Sequence, residues 1–156
     1  MLQLGISFAY NELENVMTVA KIDGSGRKIL VIDDDLAIRV LLQAVLRRMK
    51  FDVELAEDGG VGLDKVSQNG GYDLILLDLM MPRVNGYEFI ERIGQRDGKR
   101  PHIVVFTAAG KRGVDKIPAE AVCNAILKPF DLDKFIEIIA DCLTRAHETG
   151  TPGPRP

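Results

Sequence analysis

The chain has 156 residues, of which 46% are hydrophobic and 28% charged, with a mean hydropathy of +0.03. That composition excludes wholesale disorder, and the length suits one domain that buries a core without needing disulfides or a structural metal. The 20 basic and 23 acidic residues leave a net charge of -3, which argues against a chain built to grip nucleic acid or an anionic membrane.

In chain order, Met1–Arg27 reads as a leader that ends in Asp23-Gly24-Ser25-Gly26, a flexible-linker composition. It has no Lys or Arg ahead of its first apolar residues and carries Glu12 and Glu14, so it is not a signal peptide. Leu2, Leu4, Ile6 and Phe8 alternate like a strand, whereas Leu13, Val16, Met17 and Ala20 recur like a short helix. Both readings stay open, as does a translation start at Met17. From Lys28 to Arg145 short apolar runs alternate with helical periods. Lys28–Ile32 is a buried-strand run, and Ile38, Leu41, Leu42, Val45, Leu46 and Met49 then share one helix face. Phe51, Val53 and Leu55 alternate like a strand, and Gly59–Gln68 is a short helix. Leu74–Leu77 is a third run, followed by a helix near Tyr87–Gln95; Ile103–Phe106 is a fourth, followed by a weak helix over Lys111–Ala121. Ala125–Leu127 is the fifth run, and Leu132, Phe135, Ile136, Ile139 and Leu143 mark a final amphipathic helix. Residues 146–156, with Pro152, Pro154 and Pro156, read as a disordered tail. Five such repeats with continuous apolar strands imply an α/β fold, a parallel sheet covered by helices on both faces. No apolar run approaches the roughly 18–20 residues of a membrane span. Cys123 and Cys142 are too few and too far apart for a disulfide scaffold or a zinc site. They are expected as buried small hydrophobes in a reducing compartment.

In an open parallel sheet, ligands sit beyond the carboxyl ends of the strands. The first strand ends in Asp33-Asp34-Asp35, the third in Asp78, the fourth in Thr107 and the fifth in Lys128-Pro129. Acids, a hydroxyl and a lysine therefore gather on one edge. Two carboxylates about 4 Å apart repel by roughly 4 kcal/mol at an effective dielectric near 20. Either one holds a proton or a cation sits between them. An oxygen-only donor set favours a hard divalent ion such as Mg²⁺, and a carboxylate beside it is a plausible phosphoryl acceptor. Asp35 reads instead as the N-cap of the following helix.

Lys28–Asp35, Tyr72–Pro82, Val105–Ala108 and Leu127–Asp131 closely resemble the receiver domain of two-component response regulators, with every motif in order. The resemblance implies a flavodoxin-like doubly wound (βα)5 fold with strand order 2-1-3-4-5, spanning residues 28–145. It further implies Asp78 as phosphoacceptor and Mg²⁺ ligand, Asp34 as a direct Mg²⁺ ligand, Asp33 acting through a metal-bound water, and the backbone carbonyl of Met80 completing the protein's share. By the same resemblance Lys128 contacts the acceptor or its phosphoryl oxygens, Thr107 is the switch hydroxyl, and the Lys128–Pro129 peptide is cis. Ala125 departs from the family, which usually has an aromatic or His there whose rotation follows the switch residue. The implied partners are a histidine kinase or histidine phosphotransfer protein and an unidentified downstream protein, with no nucleic acid or membrane. The implied form is a cytoplasmic monomer or weak homodimer without a DNA-binding output domain. Two other readings compete. In a phosphohydrolase resembling the haloacid dehalogenases, Asp33 would be the nucleophile and Asp35 the acid; a degenerate receiver would serve only as a binding module.

Overall fold

Lys28–Ile32 forms β1, and its last four side chains are fully buried because helices cover both faces of the strand. The computed structural model describes residues 22–98 and 100–149, so the leader's alternation and the Pro-rich end lie outside the described residues. Helix α1 (Leu36–Arg48) and β2 (Asp52–Ala56) follow, then α2 (Gly59–Gln68), β3 (Leu74–Leu77) and α3 (Gly86–Gly94). Next come β4 (His102–Thr107), a short α4 (Gly110–Val114), a 3-10 turn (Ala119–Ala121), β5 (Asn124–Leu127) and α5 (Leu132–Thr149). The strands form one parallel sheet in the order β2-β1-β3-β4-β5. This is the flavodoxin-like (βα)5 arrangement.

The sheet separates two cores. Leu42, Leu46 and Met49 of α1 and its end pack with Phe135, Ile136 and Ile139 of α5 on one side. Phe89, Ile90 and Ile93 of α3 pack with Leu30, Leu77 and Val105 on the other. Three expectations are corrected. Leu41, placed on the buried face of α1, is 47% exposed, because a helical step of about 100° carries it off the line through Leu42 and Leu46. The weak helix expected over Lys111–Ala121 is a single turn, then a break at Pro118, then a 3-10 turn. The last helix runs to Thr149, into the first four residues of the segment read as a disordered tail.

The cysteines give a further correction. Both are buried as expected, yet Cys123 and Cys142 form a disulfide, with their Cα atoms 6.0 Å apart. A separation of 19 residues does not keep them apart, since α5 folds back across the face on which β5 begins. Cysteine usage therefore supplies no argument for a reducing compartment. Closing a loop of this size is worth about 3 kcal/mol. Cys142→Ala, or reduction of the wild type, is expected to lower the denaturation free energy by about that amount; equal urea midpoints for oxidised and reduced protein would count against it.

At the amino end of the sheet, Glu54 on β2 accepts from Lys28 Nζ at 2.5 Å, Tyr72 Oη at 2.9 Å and Lys65 Nζ at 3.2 Å. Lys28 chiefly, with Tyr72 and Lys65 and against partial burial, holds the Glu54 carboxyl at about 2 instead of 4.5. A depressed folded-state value contributes stability above the unfolded value and loses it as pH falls from about 4.5 towards about 2. Glu54→Gln should flatten that part of the acid-unfolding profile; a variant whose stability falls as steeply as the wild type's across it would contradict the assignment.

Candidate functional site

The parallel ladder brings four chain segments to one edge. Just past β1, Asp33 donates its N–H to the carbonyl of Ala56 at 3.2 Å. Just past β3, Asp78 donates to Ile32 at 2.9 Å, and just past β5 Lys128 donates to the carbonyl of Thr107, the last residue of β4, at 2.9 Å. Asp33, Asp78 and Thr107 are at most 5% exposed. Carboxylate oxygens of Asp33, Asp34 and Asp78 all lie within 4.8 Å of one another, and Asp34 faces solvent.

Each side chain has a distinct situation. Asp33 uses both oxygens, accepting the Asp35 N–H at 2.9 Å on one and Lys128 Nζ at 2.6 Å on the other. Lys128 stands 3.7 Å from Asp78, so its closer carboxylate is Asp33 and not the expected acceptor. Its ammonium also lies over the Phe106 ring, 5.0 Å from the centroid. Asp78 accepts the Met80 N–H at 3.3 Å. Burial pushes its carboxyl up; Lys128 opposes that shift, Asp33 adds repulsion, and the Met80 N–H and the Thr107 hydroxyl favour the ionised form. The Thr107 hydroxyl oxygen accepts the Ala109 N–H at 3.1 Å. Asp35 turns away to cap α1, accepting from Ala37 and Ile38, which removes the general acid that the phosphohydrolase reading requires. The Lys128–Pro129 peptide is cis.

The donor set is all oxygen: two buried carboxylates, an exposed one, and the carbonyl-bearing backbone that follows Asp78. With one side open to water, it fits a hard divalent cation that keeps part of its hydration shell.

Sequence reasoning missed two supports. Arg39, on the first turns of α1, donates Nη1 to the Asp33 carbonyl at 2.6 Å. Asp58, only 3% exposed, caps α2 through the Val61 N–H at 2.9 Å and takes Arg83 Nε on its other oxygen at 2.6 Å. Burial opposes ionisation of Asp58, but the Val61 N–H and the Arg83 guanidinium outweigh it and hold the carboxyl below its usual range. The cap was legible in Asp58-Gly59-Gly60 ahead of a helical period. The arginine was not, since nothing in a sequence pairs positions 25 apart.

The β3–α3 loop is tight. The Gly86 N–H bonds the Leu79 carbonyl at 3.1 Å, and a Cβ on Gly86 would stand 2.7 Å from Leu79 Cα, so only glycine fits. Met80 projects its side chain into solvent. Ala125, half-buried on β5, packs against the second core with no side chain that could rotate inward.

The family model described as response regulator receiver domain matches residues 29–140. The chain is 34% identical over 120 residues to response regulator ArlR of Staphylococcus saprophyticus, covering 76% of this chain and 53% of that protein. It is 37% identical over 123 residues to transcriptional regulatory protein ResD of Bacillus subtilis, covering 78% and 50%. The chain thus spans about half the length of the curated relatives it matches. Among solved structures, the response regulator TrrA of Thermotoga maritima in complex with Mg²⁺-BeF is 29% identical with a TM-score of 0.67, covering 74% of this chain and 98% of that one. A CheY-like receiver domain protein of Methanospirillum hungatei is 27% identical with a TM-score of 0.70, covering 78% and 97%.

Proposed function

Since this chain belongs to the response regulator receiver domain family, we propose that it accepts a phosphoryl group on Asp78 with the help of Mg²⁺ and so switches a protein-interaction surface. The supporting observation is the convergence of Asp33, Asp34 and Asp78 within 4.8 Å, with Lys128 alongside, at the carboxyl edge of the sheet. Residues 28–145 act as the receiver unit, and residues 1–27 and 146–156 lie to either side of it.

In the reaction an Asp78 carboxylate oxygen attacks phosphorus. A P–O bond forms to Asp78 while the donor's P–N or P–O bond breaks, and the leaving group keeps the bonding pair and takes a proton from water. Asp34 and Asp78 would hold the cation directly, Asp33 through a water, and Met80 through its backbone carbonyl. When bound, Mg²⁺ supplies positive charge that offsets the carboxylates and the phosphoryl oxygens. Lys128 is placed to turn from Asp33 towards a phosphoryl oxygen, and Thr107 to exchange its bond with Ala109 for another.

Phosphorylation puts roughly -1.5 to -2 of charge on three acceptor oxygens. Moving a conformer ratio from 1:99 to 99:1 takes about 5.5 kcal/mol. Charge-assisted bonds to Thr107 and Lys128, at roughly 1.5–3 kcal/mol each, supply most of it. With Ala125 unable to report the change by rotating, the response passes into the backbone of α4 and the 3-10 turn. There the Tyr87 hydroxyl already donates to the Gly113 carbonyl at 3.0 Å.

The donor is a histidine kinase or a histidine phosphotransfer protein, and the receiver of the signal is another protein. The chain works in the cytoplasm as a monomer or weak homodimer; among the described residues no helix is long and apolar enough to cross a membrane. Intact-mass spectrometry after incubation with a small acyl phosphate tests the reading. One Mg²⁺-dependent adduct per chain is expected, and a folded protein that takes none would overturn it.

A further inference from the structure

We infer that Arg83 is a positioning residue for the cation site: its ion pair with buried Asp58 sets the loop that presents the Met80 carbonyl. The inference rests on the Mg²⁺-assisted reading above and concerns a residue that touches neither the cation nor the phosphoryl group.

Arg83 has a left-handed backbone, φ 64°, in a loop where neighbouring positions offer no glycine before Gly86. A non-glycine side chain is disfavoured there and persists only where surrounding contacts hold it. Those contacts are specific. Arg83 Nε donates to Asp58 Oδ2 at 2.6 Å, Nη2 reaches the same oxygen, and Nη2 stands 3.6 Å from Glu57 Oε1. Beside them the Gly59 N–H donates to the Val84 carbonyl at 3.1 Å, and a Cβ on Gly59 would stand 2.6 Å from that oxygen. The β2–α2 and β3–α3 loops are therefore stitched together by backbone and by charge.

The stitch acts on the metal-binding half of the loop by limiting its freedom together with the loop's other anchors. Upstream, Met80 is tied to Asp78 through its N–H. Downstream, the loop closes through Gly86 and Leu79. Between these ties the segment from Met80 to Val84 is held to the rest of the fold by the buried Met81 side chain, by Arg83 and by Val84. Removing the arginine takes away the one charged tie and loosens the loop that carries the peptide whose carbonyl would face the cation, without touching Asp33, Asp34 or Asp78. Supporting groups of this kind typically change metal affinity by roughly 10–100-fold.

Arg83→Gly is the informative variant, because glycine adopts the left-handed backbone freely and only the side-chain tie is lost. Calorimetric titration with Mg²⁺ is expected to show affinity lower by roughly tenfold. The phosphorylation rate at saturating Mg²⁺ should stay within about twofold, because the acceptor itself is untouched. Asp58→Asn should weaken Mg²⁺ binding in the same direction, and the double variant no further than the worse single one. Arg83→Gly with wild-type Mg²⁺ affinity would overturn the inference, as would a loss confined to the saturated rate. Wild-type protein that neither binds Mg²⁺ nor accepts a phosphoryl group would instead overturn the reading beneath it.

Discussion

Asp78→Asn is expected to abolish the phosphoryl adduct completely while the protein stays folded and melts at or above the wild-type temperature. The two outcomes follow from one environment. Asp78 is 5% exposed, and burial together with the nearby Asp33 carboxylate disfavours its charge. An amide keeps the shape and the bond from the Met80 N–H, but has no charge to desolvate and no repulsion with Asp33. It also has no nucleophilic oxygen, so the chemistry disappears without the fold being disturbed. Thr107→Ala is the contrast in the same assay: it should accept the phosphoryl group yet fail to shift fully to the active conformer. Intact mass measures the first property and hydrogen exchange over residues 108–121 the second. An adduct of wild-type yield on Asp78→Asn would place the acceptor elsewhere, and full switching in Thr107→Ala would remove the role given to that hydroxyl.

Lys128→Met should destabilise the metal-free protein by roughly 3–5 kcal/mol, since it removes the cation closest to a buried carboxylate. Lys128 Nζ lies 2.6 Å from Asp33, which is 1% exposed, and among the described residues the other donor to that carboxylate is the Asp35 N–H. Methionine preserves most of the stem volume and removes only the ammonium that lies over Phe106, so the loss reports charge rather than packing. Because Mg²⁺ held at the folded site would stabilise it, adding the ion is expected to restore part of the lost stability. Urea unfolding in chelator and in Mg²⁺ measures both effects. If the variant were as stable as wild type in chelator, the Lys128–Asp33 pair would carry no net stabilisation.

The extent to which the site could be read from sequence follows from which interactions are local. The caps by Asp35 and Asp58 depend on residues two to three positions away and leave their mark as an Asp ahead of a helical period. Four strand ends were legible because continuous apolar runs stop where a chain leaves a doubly covered sheet, and the chemistry-bearing residues stand at those stops. The Lys128–Asp33 contact joins positions 95 apart, and pattern alone allowed the lysine to face either buried acid. Arg39 on the Asp33 carbonyl, Arg83 on Asp58 and the Tyr87 bond to Gly113 were equally invisible, each joining a side chain to a group outside its own element.

The cysteine pair shows the same limit from the other direction. Burial of Cys123 and Cys142 could be expected from their residue type, whereas their bonding depended on how α5 lies across the start of β5. By itself, the sequence determined the element order, the parallel sheet with both faces covered, and the acids, hydroxyl and lysine on its carboxyl edge. Each of these follows from periodicity and short-range chemistry, which a linear chain carries in full. Only the tertiary structure decided which oxygen each cation holds, which loop braces which, and which stripe of α1 meets the core. Those choices depend on distances between elements far apart in the chain, and such distances exist only once the elements have packed.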